Sequence, residues 1–218
     1  MKRTKLWIII PFSILAAILL VFFFPNIQEM YWTARCKNKY DCLMEQEYLH
    51  YTYEDGDSSN FEEYWFKGDN HLAYLDFSSR DVYFLTINGE IYRKENNGDW
   101  KERKIQEVYR NMLPYQWEYY FAYSGIDLTN WQTNVHFLYD TLIDGTANMQ
   151  TREIVFCFDI FGSLVQINEK WTTYAGFTAD PDRIRSIDTG TSTFHNTDLQ
   201  VIESKLEEAY AEAKAATG

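Results

Sequence analysis

The chain has 218 residues, of which 46% are hydrophobic, 18% aromatic and 24% charged, and its formal net charge is −12. This apolar content is enough for a buried core, which excludes an intrinsically disordered chain, and three cysteines are too few for a disulfide scaffold. The acidic charge argues against nucleic-acid binding, because phosphate contacts require clustered Lys and Arg side chains. The length fits one domain, or one domain plus an anchor.

The start of the chain predicts a membrane anchor. Lys2, Arg3 and Lys5 precede an uncharged, apolar run over residues 6–24, which as a helix spans about 28 Å, close to the hydrocarbon thickness of a bilayer. The basic cluster favours a cytoplasmic N-terminus and an extracytoplasmic location for everything after the run. A cleaved signal peptide is the competing interpretation, although the run is longer than a usual signal and no small-residue cleavage pattern follows it.

We therefore predict three parts: a signal-anchor helix over residues 1–25, a juxtamembrane segment over 26–46 and an extracytoplasmic, β-rich domain over 47–218. From residue 6 onward, 17 Lys and Arg stand against 32 Asp and Glu, a net charge of −15. Such a charge keeps the outer domain in solution and repels anionic lipid headgroups.

Two cysteines follow the predicted anchor closely. In oxidising surroundings, Cys36 and Cys42 are the natural disulfide pair. A straight helix would separate their Cα atoms by about 9 Å, beyond the distance of about 7 Å that a bridge allows. The disulfide therefore requires a turn over residues 36–42. Cys157 lies in a strand-like run and is expected to be a small buried hydrophobe.

Alternation of apolar and polar residues predicts β-strands from about residue 47 onward. Two Asn-Gly dipeptides, at 88–89 and 97–98, predict tight hairpins, because both residue types tolerate the positive φ of a type I′ turn. Residues 47–103 thus predict an antiparallel meander.

The middle of the chain is ambiguous, and a second block of strands follows it. Residues 105–112 have helical spacing, and the aromatic stretch 115–123 fits a strand or a buried helical turn that ends at Ser124-Gly125. Alternating or apolar runs then predict four further strands, at 134–143, 151–159, 164–174 and 184–194.

The C-terminal segment predicts an amphipathic helix, with Thr197 as N-cap and Gln200 completing a capping box. Its apolar face consists of Leu199, Ile202, Leu206, Tyr210 and Ala213. The predicted fold class is α+β. It comprises an N-terminal transmembrane helix, a curved, mostly antiparallel β-sheet of about nine strands, and a C-terminal helix packed on that sheet.

Three stretches carry a resemblance to known proteins: the basic-then-apolar start, the strand–turn–strand from Gly89 to Trp100, and the segment from Ile187 through the terminal helix. The layout resembles uncharacterised, membrane-anchored, extracytoplasmic proteins of Gram-positive bacteria. More remotely, the meander resembles the half-barrel of LolA- and LppX-type lipoprotein carriers, in which a curved sheet and helices enclose an apolar cavity. The resemblance concerns the order of elements and carries over no functional residue, and this chain lacks the lipid-attachment Cys of the LppX kind.

Motifs of catalysis are absent from the sequence, which has no nucleophile elbow, no zincin motif and no Walker loop. Its four histidines, at positions 50, 71, 136 and 195, are widely spaced, and we predict no metal site and no cofactor. A carboxylate pair for glycoside hydrolysis stays open, because nothing singles out one pair among 32 acidic residues.

The sequence is unusually rich in aromatic residues, with 17 Tyr, 15 Phe and 7 Trp. They either fill the core or form a surface that stacks on sugars or lines an apolar groove. The tryptophans spread over the outer domain are Trp65, Trp100, Trp117, Trp131 and Trp171. Trp100 directly follows a hairpin turn and is the first candidate ligand-binding residue, with Trp65 and Trp117 as further candidates.

These observations predict a single-pass membrane protein whose outer domain binds an apolar ligand or an envelope protein, without evident catalytic activity. One alternative is a carbohydrate-binding or glycoside-hydrolysing surface protein, and another is a structural subunit of an envelope complex. The expected partners are the lipid bilayer, through residues 6–24, and that ligand or protein.

Overall fold

The computed structural model describes residues 3–56, 60–103, 113, 116–143 and 148–218, and in the first helix it describes side chains from Phe24 onward. The helices are α1 (Arg3–Met44), α2 (Trp117–Tyr120) and α3 (Leu199–Thr217), and a 3₁₀ turn lies at Pro181–Arg183. The strands of the first half are β1 (Tyr48–Asp55), β2 (Phe61–Lys67), β3 (Asn70–Phe77), β4 (Arg80–Ile87), β5 (Glu90–Glu95) and β6 (Lys101–Arg103). Those of the second half are β7 (Ala122–Thr129), β8 (Gln132–Leu142), β9 (Asn148–Phe158), β10 (Leu164–Ala175) and β11 (Ile184–Phe194).

These strands form one open antiparallel sheet in the order β6-β5-β4-β3-β2-β1-β11-β10-β9-β8-β7. Each half is a meander of neighbouring hairpins, and the ladder between β1 and β11 joins them, with Tyr51 opposite Phe194. The prediction of a mostly antiparallel sheet with a C-terminal helix is confirmed. The described part of the chain has eleven strands, where about nine were expected.

The first Asn-Gly hairpin is confirmed, because Asn88 and Gly89 take φ values of 52° and 80° between β4 and β5. The second differs from the prediction. Asn96 takes the positive φ, at 50°, and β6 begins only at Lys101, so the link exceeds two residues. Asn96 binds the start of β4 instead: its side-chain oxygen accepts a hydrogen bond from the Asp81 N–H at 3.0 Å.

The strand β7 accounts for one of the additional strands. Ser124-Gly125 was expected to end the aromatic stretch, but β7 continues through it to Thr129. The register against β8 shifts between Tyr123 and Gly125, so these residues form a β-bulge and not a strand end. The helical spacing at 105–112 lies outside the described residues.

The predicted capping box is wrong. The residue before α3 is Asp198, which makes no side-chain cap hydrogen bond, while the Thr197 hydroxyl lies 2.6 Å from Nδ1 of His50 on β1. A tertiary partner has therefore replaced the local cap. Within the helix, Ile202 and Leu206 are buried as predicted, whereas Leu199 is 52% exposed.

Helix α1 continues without interruption through the predicted juxtamembrane segment to Met44. Residues 36–42 therefore do not form the turn that the predicted disulfide requires. Cys36 is buried, Cys42 is exposed, and both are free thiols in the structure. Cys157 is buried on β9, and burial raises the pKa of its thiol to about 11.

In the part of the chain that the structure describes, no helix is long and apolar enough to cross a membrane. The predicted span over residues 6–24 lies, apart from Phe24, outside the residues whose side chains are described. The anchor therefore stays a prediction.

The two long helices pack on opposite faces of the sheet. On one face, called the α1 face below, a core unites the end of α1 with the middle of the sheet; its members include Cys36, Tyr40, Met44, Tyr51, Phe66, Val135, Phe137, Ile154, Phe156 and Ile167. On the other, the α3 face, α3 covers the first meander; this core includes Trp65, Leu72, Leu85, Tyr92, Trp100, Ile202, Leu206, Ala209 and Ala213. Alternation along each strand separates the two sets of side chains.

Leu206→Ala is expected to lower the free energy of unfolding by about 2–5 kcal/mol, because Leu206 is only 2% exposed at the centre of the α3 core. Leu199→Ala, on the exposed side of the same helix, should change it by less than about 0.5 kcal/mol. Urea unfolding of the two variants in detergent gives the comparison. Equal losses would contradict the packing of α3 described here.

Candidate functional site

The three tryptophans predicted to bind a ligand are all buried. Trp65 and Trp100 lie in the α3 core, at 7% and 5% exposure, and the Trp100 Nε1–H donates to Glu212 Oε2 at 3.2 Å. Trp117 lies on the other face, where its ring contacts Phe137 and Phe156 at centroid distances of 5.1 and 4.8 Å. The structure does not bring the three side chains together, and each fills a core.

A different set of aromatic and charged residues lines a cleft of about 270 Å³ on the α1 face. Its lining residues come from five neighbouring strands at the centre of the sheet: Tyr51 and Tyr53 on β1, Glu62 and Tyr64 on β2, Arg152 on β9, Glu169 and Trp171 on β10, and Ser192 on β11. They occupy alternating positions, so their side chains leave the sheet on the same side.

Tyrosine rings form one wall of this cleft. The rings of Tyr51 and Tyr64, directly opposite each other on β1 and β2, stack with 4.7 Å between centroids. Tyr53 lies across β11 above Gly190, where a Cβ atom would overlap its ring. Glycine at position 190 is therefore required for the present position of Tyr53. Burial, and then the nearby Glu169 carboxylate, raise the pKa of Tyr53 to about 12, so its phenol stays protonated.

The opposite wall is built on an arginine. Arg152 and Trp171 are directly opposite each other on β9 and β10, and the guanidinium lies over the indole ring, 5.4 Å from its centroid. It also lies 6.0 Å from the ring centroid of Phe121. These cation–π contacts hold the guanidinium in place. Its Nε–H is buried and has no hydrogen-bond partner among the described residues.

Glu169 brings a buried carboxyl group into the cleft. Its side chain is only 10% exposed, and one oxygen lies 3.9 Å from Nη2 of Arg152, too far for a hydrogen bond. Burial raises the pKa of Glu169 to about 7, and the attraction of Arg152 opposes this shift only in part. At neutral pH the group therefore exchanges a proton readily and can donate or accept a hydrogen bond.

Glu62 supplies a second carboxyl group, which accepts a hydrogen bond from the Tyr64 hydroxyl. Burial and this hydrogen bond raise the pKa of Tyr64. Glu62 and Glu169 belong to β2 and β10, which are three strand spacings apart in the sheet, so their Cα atoms are separated by about 14 Å. Tyr53, directly opposite Glu62, lies between them.

This arrangement combines flat rings, a guanidinium and two carboxyl groups around a volume that fits a small ligand. Rings contact the apolar faces of a ligand, while Arg152, Glu62 and Glu169 offer charge-assisted hydrogen bonds to its polar groups. Among the described residues, no group of three or more His, Cys, Asp or Glu side chains could hold a metal ion.

The sequence holds one signal for this cleft. Ile167, Glu169 and Trp171 alternate along β10, and Ile167 is fully buried, so Glu169 occupies a position where an apolar residue is expected. A charged residue in an inward-facing position of a strand indicates a site. The neighbours of Glu169 on β1, β2 and β9 follow only from the strand order.

The ionisation of Glu169 should make the stability of the protein depend on pH. Because the pKa of Glu169 is about 7 in the folded protein and near 4.5 when the group is solvated, the folded state favours the protonated form. Its stabilising contribution is complete below pH 4.5 and is lost as the pH rises through 7. Between pH 4.5 and 7.5, the wild type should therefore lose up to about 3 kcal/mol relative to Glu169→Gln.

Urea unfolding of both proteins at the two pH values measures this difference. Glu54→Gln, which removes an exposed carboxylate from the same sheet, is the matched control and should follow the wild type. Parallel pH curves for the wild type and Glu169→Gln would show that Glu169 is ionised normally.

A scan against protein-family models and a search of curated proteins find no match to this chain. The candidate site is therefore assigned from the geometry and chemistry of its own residues.

Proposed function

We propose that the protein is a membrane-anchored, extracytoplasmic binding protein whose central cleft takes a small saccharide. The observation that carries this proposal is the position of the half-buried Arg152 and the more deeply buried Glu169 between the tyrosine wall and Trp171. Aromatic rings stack on the C–H faces of a sugar ring, and planar charged groups hold its hydroxyls.

Saccharide binding fits the cleft better than the apolar ligand favoured by the sequence. A lipid-like ligand requires a large cavity with apolar walls, whereas this cleft measures about 270 Å³ and contains three charged side chains.

Binding is also favoured over glycoside hydrolysis. The raised pKa of Glu169 suits a general acid, but hydrolysis needs a second carboxyl group about 5–9.5 Å away. The Tyr53 ring lies between the two carboxyl groups, because Tyr53 is directly opposite Glu62 and its ring lies over Gly190, the residue paired with Glu169. We therefore assign Glu62 and Glu169 to ligand contacts.

Binding is tested with the full chain in detergent, titrated with glucose, N-acetylglucosamine and their di- to tetrasaccharides by isothermal calorimetry. At least one of these sugars is expected to bind, and Arg152→Gln should weaken it about 10- to 100-fold, because a charge-assisted hydrogen bond is lost. Arg185→Gln removes an exposed arginine from β11 and should bind like the wild type.

Tyr64→Phe provides a second variant, which removes one hydroxyl group from the cleft wall and keeps the ring stack. It is expected to weaken binding, and the lost hydrogen bond to Glu62 should lower the free energy of unfolding by about 1–3 kcal/mol without unfolding the protein. If no sugar binds, or if Arg152→Gln and Arg185→Gln bind equally, the cleft is not a saccharide site.

Membrane anchoring is tested separately. The wild-type chain is expected to stay in the membrane fraction on alkaline carbonate extraction, and its outer domain should be digested by protease added to intact spheroplasts. Leu15→Arg with Leu19→Arg should release the chain, because each charge at the centre of a span costs about 2.5–3.5 kcal/mol. A mature chain that begins near residue 25 would identify a cleaved signal instead.

A further inference from the structure

Two neighbouring hairpin tips of the second meander expose large apolar side chains. One is the turn between β7 and β8, and the other is the loop between β9 and β10; they lie side by side because Thr133 is opposite Phe158. The residues called the tip patch are Leu128 (80% exposed), Trp131 (90%), Ile160 (68%) and Phe161 (86%).

The tip patch and α1 enclose a groove of about 590 Å³. Trp32 and Arg35 form its helical side, and the Trp32 ring packs on Phe158 with 6.4 Å between centroids. The Arg35 guanidinium lies 5.7 Å from the ring centroids of both Trp32 and Phe158. The charged residues of the lining are therefore one cation, Arg35, and one carboxylate, Asp159, which accepts hydrogen bonds from the backbone N–H groups of Phe161 and Ser163.

Trp131 has an unfavourable backbone conformation that packing does not explain. Asn130 and Trp131 take φ values of 52° and 65° at the centre of the β7–β8 turn. Left-handed backbone is readily adopted by Asn and Gly but is an outlier for a bulky residue, and the indole ring gains no burial in return. The two-residue hairpin imposes this conformation, since its tight turn requires positive φ at both central residues, and the ring is left exposed at the tip.

The helix limits how far the patch lies from the predicted membrane span. Trp32 follows Phe24, the last residue of the span, by eight positions in α1, a distance of about 12 Å along the helix axis. The headgroup region of each leaflet is about 5–7 Å thick, so Trp32 lies just outside this layer. The apolar residues in this interval are also exposed: Phe24, Ile27, Met30 and Tyr31.

We propose that the tip patch docks on the outer surface of the bilayer that holds residues 6–24, with Trp131 and Phe161 in the interfacial layer and Arg35 facing lipid phosphates. The proposal rests on the membrane anchoring proposed above. Tryptophan and other aromatic rings favour this layer, and a guanidinium binds phosphate well. The bilayer is favoured over a protein partner, because α1 holds the patch beside the membrane permanently, whereas a partner has to be recruited.

The test places a tryptophan at one tip at a time in the full chain, reconstituted in phosphatidylcholine vesicles with brominated acyl chains. Two double variants contain the same number of tryptophans: Trp131→Phe with Phe161→Trp, and Trp131→Phe with Phe177→Trp. Phe177 is 68% exposed but follows the other end of β10. The Phe177→Trp variant serves as the reference. Compared with it, the wild type and the Phe161→Trp variant should each have one more tryptophan that is quenched by bromine near the headgroups.

A tryptophan at the centre of the predicted span, introduced by Leu15→Trp in each variant, distinguishes the two proposals. Bromine deep in the acyl chains should quench the tryptophan at position 15 in every variant. Quenching at position 15 without quenching at positions 131 and 161 overturns the docking while the anchor stands. Loss of both signals overturns docking and anchoring together. Equal quenching at 161 and 177 shows unspecific adsorption and overturns the docking, as does a cross-linked dimer through position 131.

Trp131→Gly separates docking from folding. Glycine adopts the left-handed conformation freely, so the thermal midpoint should rise by about 2–4 °C, while the quenching by headgroup-proximal bromine is lost. A stabilised variant that keeps the wild-type quenching would overturn the proposal, because Trp131 would then not contact lipid.

Discussion

An open sheet has two faces, and the apolar side chains on each face have to be shielded from water. In this protein, two long helices provide that shielding. Helix α3 covers the first meander on one face, and the end of α1 covers the middle of the sheet on the other. Neither helix covers the whole sheet, so part of each face depends on its own side chains. The cleft lies on the α1 face, on strands of the same core, where large aromatic and charged side chains take the place of helical cover.

The order of elements follows from the sequence because its signals are local. The alternation of residues and the turn at Asn88-Gly89 predict hairpins correctly, since a two-residue turn fixes the register of its strands. Local signals mislead where tertiary contacts compete with them. Thr197 resembles a helix cap but contacts His50, and Ser124-Gly125 resembles a strand end but forms a bulge.

The candidate site was less predictable, because strands distant in sequence create it. Glu62 and Trp171 meet in one cleft only because β1 and β11 pair and join the two meanders. No residue pattern in the sequence specifies that pairing. The abundance of tryptophan, in contrast, reflects core packing and not a binding site, because Trp65, Trp100 and Trp117 are buried. The most exposed of the named tryptophans, Trp131, lies at a hairpin tip.

Helix α1 links the two proposed activities. Its last turns insert Cys36, Tyr40 and Met44 into the core beside the cleft, while Trp32 and Arg35 border the groove next to the tip patch. Since α1 is continuous to Met44, no flexible linker would lie between the bilayer and the sheet in the membrane anchoring proposed above. The direction in which the cleft opens would then be fixed relative to the bilayer.

The pairing of the first strand with the last also dictates an order of assembly. The β1–β6 hairpins can form from residues that are close in sequence, but their α3 face remains uncovered until the nineteen residues of α3 have been synthesised. The ladder between β1 and β11 likewise forms only after β11 has been synthesised. During synthesis, the first half is therefore an unprotected sheet with an open edge at β1, vulnerable to pairing with a neighbouring nascent chain until its own carboxyl-terminal segment arrives.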